Sequence, residues 1–148
     1  MNTHDLALPS QVERLVVFFE TLSPSALAKM GDFYAANVFF KDPYNDVHGL
    51  VEVQRIFGHM YQVLHEPRFV IVDRVVSNGQ CFLSWDFHFR FKSFRPAQSQ
   101  LVHGSSHLKL DAGGLVCYHR DYWDTSEEVY EKLPLLGGLM RWLKAKAR

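Results

Sequence analysis

Near the end of the chain, in residues 115–124 (LVCYHRDYWD), a histidine and an aspartate stand two positions apart beside a tryptophan. Read as a β-strand, this segment sets Leu115, Cys117, His119, Asp121 and Trp123 on one face, because successive strand side chains alternate. Groups of this kind can exchange protons. In an apolar cavity both would be desolvated, which raises a carboxylate pKa and lowers an imidazole pKa, moving each toward neutrality. Facing water, they would be ordinary surface residues. Asp42 ends a strand-like run (residues 37–42, NVFFKD) ahead of Pro43. It is a second carboxylate that a cavity could set opposite the pair. Its other reading is a turn cap that accepts backbone N–H groups over residues 43–47.

Other chemistries find less support. His103 and His107 share a strand face and, with His119, invite a zinc reading. No HxH or HExxH spacing accompanies them, and catalytic zinc needs three converging ligands. No metal and no cofactor are therefore expected. There is no G-x-S-x-G nucleophile elbow and no glycine-rich phosphate loop. Cys81 and Cys117 are too few for a disulfide framework, and a reducing, cytoplasmic setting fits them.

The elements that must position these residues follow from composition and periodicity. The 148 residues are 47% hydrophobic and 22% charged, an ordinary globular balance that fits one domain with a sizeable core. Sixteen basic residues match sixteen acidic ones, so no field points to nucleic acid. Twelve Phe bring apolar area without a polar handle, suited to a core or a pocket. No apolar run approaches the ~18 residues of a membrane span, and no signal peptide is expected.

Ser10 with Glu13 matches a capping box ahead of a first helix carrying Val12, Leu15, Val16, Phe19 and Leu22. Ser23-Pro24 starts a short second helix reaching Met30, with a turn at residues 32–36. Residues 47–49 read as a loop, and Val53, Ile56, Phe57, Met60 and Leu64 as a third helix. After Pro67 the period becomes two. Residues 69–76, 81–92, 100–110 and 115–124 read as strands, with hairpin signals at Asn78-Gly79 and in residues 111–114. The register of that last turn decides which histidine meets Asp121. Trp85, Phe87, Phe89 and Phe91 alternate with Asp86, His88, Arg90 and Lys92. The aromatic face suits a pocket wall, and the same rings suit a plain core. Helices first, then an antiparallel meander, point to an α+β fold with helices on one face of a curved sheet. Thr125 with Glu128 fits another capping box. Residues 135–148 form a basic amphipathic stretch, expected to cover the domain or a second copy rather than enter a membrane.

This order of elements resembles the nuclear transport factor 2-like superfamily, which includes ketosteroid isomerases and polyketide-cyclase-like proteins. The motifs that carry the likeness are the strand ending Lys41-Asp42-Pro43, the helix opened by Gly49, and the HRDYWD ending, within residues 10–124. Residues 125–148 form a C-terminal extension. The resemblance implies an α+β cone, a curved sheet wrapped by helices around an apolar pocket, and often a homodimer. It places Asp42 where the isomerases keep a general base. Their oxyanion donors fall near Leu15, Phe18 or Phe19 and at Ser106, none a strong donor, so steroid isomerisation is not expected. In the polyketide-cyclase-like branch an Asp on the last strand is the general acid/base. Asp121 or Asp124 fits, and Asp121 is preferred because it shares a face with His119 and Trp123.

The expected function is binding of a small apolar or aromatic ligand, with cofactor-free isomerase- or cyclase-type proton transfer by Asp121, His119 and Asp42. The expected pocket residues are Trp85, Phe87, Phe89, Ser106, Trp123, Phe57 and Tyr34. The competing reading is a non-catalytic ligand sensor or interaction module, since one scaffold hosts both.

Overall fold

Residues 3–124 and 145–146 are described by the structure, a computed structural model. Three helices are present there: α1 (Thr3–Glu20), α2 (Pro24–Leu27) and α3 (Leu50–Val63). The strands are β1 (Tyr34–Lys41), β2 (Asp46–His48), β3 (Leu64–Ser77), β4 (Gln80–Phe91), β5 (Gln100–Leu110) and β6 (Val116–Tyr122). The expected helix near residue 125 and the amphipathic stretch at 135–148 lie outside the described residues, apart from residues 145–146.

Local signals explain several of these boundaries. Ser23 has extended backbone and its hydroxyl accepts the Ala26 N–H, while Pro24 takes the first helical position of α2. Gly49 opens α3 with φ of 100°, a backbone that favours glycine, and its N–H donates to the Val38 carbonyl at 2.8 Å. Other expectations are corrected. α1 already runs from Thr3 with Pro9 inside it, so Ser10 is not its cap. Pro9 removes one helical hydrogen bond, and Leu8, buried in the core, anchors the extra turn. The second helix stops at Leu27. A 3-10 turn at Met30–Asp32 follows and drives Met30 into the core. Tyr34 and Ala35, expected in a turn, already belong to β1. Asp46–His48, expected mostly as loop, pairs antiparallel with Phe39–Lys41.

The strands form one sheet in the order β2-β1-β6-β5-β4-β3. β3 to β6 are an antiparallel meander. β1 joins its end in parallel and sets Phe40 opposite His119. On the inner face, Val12, Leu15, Val16 and Phe19 of α1 and Val53 and Phe57 of α3 are buried against the sheet. The fold is α+β, with helices covering one face of a curved sheet.

One local irregularity matters for the site. Across β5 and β6, Lys109 faces Tyr118 but Leu110 faces Val116, so Cys117 is an extra residue in a bulge. A bulge shifts the alternation by one. Val116 and His119 are accordingly both fully buried, although three positions apart. The expected single face from Leu115 to Trp123 is thus broken at Cys117. His119 and Asp121 remain on the inner face, and Cys117 instead donates its thiol to the Lys109 carbonyl at 3.4 Å.

Candidate functional site

His119 is 2% exposed and bonded on both ring nitrogens. Nδ1 lies 2.7 Å from the Tyr34 hydroxyl, and Nε2 lies 2.7 Å from Oδ1 of Asp121. An ionised carboxylate only accepts, so Nε2 donates to Asp121; in a ring with one proton, Nδ1 then accepts from the Tyr34 hydroxyl. Burial, followed by the negative charge of Asp121 and then Cys81, holds the Tyr34 phenol well above its ordinary pKa, which keeps it a donor. The same Asp121 oxygen accepts the Ser106 hydroxyl at 2.5 Å, and Ser106 in turn accepts the Trp85 indole N–H at 2.9 Å. Two donor chains, Tyr34 to His119 and Trp85 to Ser106, therefore converge on Oδ1. Among the described residues Oδ2 has no hydrogen-bond partner.

Strand register assembles this network. Ser106 lies opposite Asp121 and Leu108 opposite His119, which settles that His119, not His107, adjoins Asp121. Trp85 lies opposite Gly104. A Cβ on Gly104 would stand 2.3 Å from the indole, so only glycine lets the ring lie flat enough on β5 to reach Ser106.

Asp121 opens onto an aromatic cavity of about 360 Å³ between α3 and the sheet. Phe57, Trp85, Phe87, Phe89, Asp42 and Trp123 line it, as do Phe40, Phe69 and Phe91. The sheet rings pack on one another: Phe69 stacks on Phe87 at 4.4 Å and meets Trp85 edge-on at 5.4 Å. Behind them a void of about 20 Å³ is lined by Ser106, His119 and Asp121 together with Phe19, Phe57 and Trp85. Ser106 and His119 thus sit one layer behind the main cavity. Tyr34, expected on the pocket wall, is deeper still, 1% exposed behind His119. Its early start in β1 turns it inward toward the parallel neighbour β6.

Asp42 lies at the cavity mouth, but the turn engages both its oxygens. Oδ1 accepts the N–H groups of Tyr44 at 2.8 Å and Asn45 at 2.6 Å, and the Asn45 side chain reaches both oxygens at 3.0 Å. Asp124 borders an open recess outside the mouth with Lys41 and Arg120. His103 and His107 are on the outer sheet face, bonded to Asp86 and Gln80. Desolvation and the Lys109 charge lower the His107 pKa. No set of three or more potential metal ligands converges among the described residues. A second cleft of about 620 Å³ is lined by His65, Glu66, Arg68, His88 and Arg90. It is open and polar, and Arg90 and Glu66 already pair across it at 3.2 Å.

Sequence reasoning missed Phe40 and Phe69 as lining residues and Tyr34 as the donor behind His119. Alternation in β3 pairs Phe69 with Phe87 and was a usable signal. Phe40 and Tyr34 had none, because their placement depends on the parallel β1–β6 contact.

A curved, mostly antiparallel sheet covered on one face by helices is the fold of the nuclear transport factor 2-like, cone-shaped class. The SnoaL-like domain model matches residues 15–119, and the chain belongs to that family. No curated protein matches the sequence. Solved structures share the fold at low identity. One is a hypothetical protein with a ketosteroid isomerase-like fold from Catenulispora acidiphila, solved in complex with trimethylamine. It has a TM-score of 0.70 and 16% identity, over 85% of this chain and 95% of the other. An NTF2-like protein of unknown function from Burkholderia pseudomallei gives 0.68 and 15%, over 79% and 92%. A protein provisionally named a SnoaL-like polyketide cyclase, from a Jannaschia species, gives 0.65 and 13%, over 77% and 85%.

Proposed function

We propose that the protein binds a small, largely apolar aromatic molecule in the cone and moves a proton on it with Asp121, without a cofactor. The observation that carries this reading is the Asp121 carboxylate, with Oδ1 fixed by two donors and Oδ2 without a partner among the described residues. Fixing one oxygen orients the other as a base, and general base catalysis of this kind contributes about 10²–10⁴-fold. His119 does not reach the main cavity. It acts through Asp121 and is a positioning residue, as are Ser106, Tyr34 and Trp85. Asp42 holds the turn at the mouth. One structural neighbour is provisionally named a SnoaL-like polyketide cyclase, which accords with a small-molecule substrate.

The step proposed is abstraction of a C–H proton next to a carbonyl. Oδ2 takes the proton, the C–H pair moves into the carbon–carbon bond of the enolate, and the carbonyl oxygen takes the charge. Returning the proton to the same or another carbon completes exchange or isomerisation. 2-Tetralone, an aromatic ketone with acidic C–H groups, is a suitable probe. In D₂O the protein is expected to speed loss of its C1 proton signals, and Asp121→Asn to lower that rate about 10²-fold or more. Equal rates for the two proteins would overturn the catalytic reading.

A further inference from the structure

We infer that the aromatic cavity selects an organic cation, an amine carried on a flat apolar body. This rests on the cavity being a ligand site, as proposed above, and names the class of ligand. Of the seventeen lining residues, six are Phe, two Trp and one Tyr, and five are aliphatic. The rest are Asp42, Asp121 and His59; no Lys or Arg lines the cavity among the described residues. Ring faces carry negative potential and attract a cation, most strongly where water is excluded. A carboxylate in an apolar wall likewise needs a countercharge or donors.

Among the described residues, the cations nearest the cavity do not supply that countercharge. Lys41 and Arg120 border the recess outside the mouth. Lys41 is held by Asp46 at 3.0 Å, and the Arg120 guanidinium lies over the Tyr122 ring at 4.7 Å. Lys92, beyond Phe91, donates instead to the Tyr61 carbonyl. The Asp42 oxygens are occupied by Asn45 and the turn. Oδ2 of Asp121 is therefore the group that meets an ammonium, with the rings closing around its carbon substituents. At the mouth, Tyr44 and Trp123 meet edge-to-face at 5.6 Å and give the flat body an aromatic entry. An anion would face two carboxylates and ring faces, and a neutral ligand would bind without the ion pair that Oδ2 offers an ammonium.

Three probes on one ring system test this by calorimetry at neutral pH: 1-naphthylmethylammonium, 1-naphthalenemethanol and 1-naphthoate. The ammonium is expected to bind about ten- to a hundredfold tighter than the alcohol, and the naphthoate weakest. Asp121→Asn should bring ammonium and alcohol affinities together, and Asp121→Glu should keep the cation preference. An alcohol or naphthoate that binds as tightly as the ammonium overturns the cation inference and leaves the ligand site standing. So does a cation preference that persists undiminished in Asp121→Asn. Failure of all three probes to bind overturns both readings of the cavity. Tetralone exchange that persists without an ammonium preference overturns the cation inference alone.

Discussion

Asp121 and Asp42 are both carboxylates at the cavity, and their hydrogen bonds differ. Asp121 gives one oxygen to two donors, and its other oxygen has no partner among the described residues. Asp42 gives both oxygens to the turn that follows β1. Each bond to a charged acceptor contributes roughly 1.5–3 kcal/mol when not fully solvated, less where exposed. Asp42→Ala is therefore expected to lower stability by about 1–2 kcal/mol, read by urea unfolding, while 2-tetralone exchange stays within about twofold of wild type. A tenfold loss of exchange with stability intact would give Asp42 a direct role.

The elements contribute through register. β5 supplies Ser106 and Gly104 two positions apart on the inner face, and β4 lays Trp85 across them. Ser106→Ala removes the acceptor of a buried indole N–H, at a cost of about 1–3 kcal/mol. Gly104→Ala would push a methyl into that same ring and displace the indole, with a similar or larger loss. Both variants should also slow tetralone exchange, because Oδ1 of Asp121 loses a donor or its support. Unfolding curves and exchange rates unchanged in both variants would show that this chain does not position the carboxylate. The Cys117 bulge is the corresponding device in β6. It lets Val116 and His119 both turn inward, at the expense of an unpaired residue in the ladder.

Among the described residues, burial makes Cys81, Tyr34 and Tyr61 resist ionisation. Burial pushes the Cys81 thiol up to about 11, from an ordinary value near 9, and raises the Tyr34 phenol in the same direction. Between these pH values the folded chain keeps a proton that the unfolded chain has lost. Stability from Cys81 is therefore intact below about pH 9 and falls as pH rises through about 11. The loss is on the order of 2 kcal/mol. Urea midpoints at pH 8 and 10.5 should show it, and Cys81→Ala should flatten the slope; an equally steep slope in that variant would contradict the assignment. On the outer sheet face Phe82, His107, Tyr118 and Phe39 form a run of ring contacts at 4.2–5.3 Å, beside exposed Val75. This stripe is our proposed surface for a homodimer. Light scattering is expected to give the mass of two chains, and Phe82→Glu to give one; a monomeric wild type would remove the proposal.

Periodicity and turn chemistry determined much of this protein. The aromatic alternation of Trp85–Phe91, the hairpin signals and the helical spacing of Val53 and Phe57 are local patterns, set by neighbours a few residues away. They were enough for the α+β class, and for the proximity of His119 and Asp121. Tertiary structure decided the rest. Whether His107 or His119 meets Asp121 depends on one residue of register. Tyr34 joins the site through a hydrogen bond to a residue 85 positions away, made possible by the parallel pairing of β1 with β6. The turn bonds of Asp42 depend on Asn45 coming within bonding distance of its oxygens. Each of these depends on free energy gained between distant segments, which no local pattern of residue types encodes.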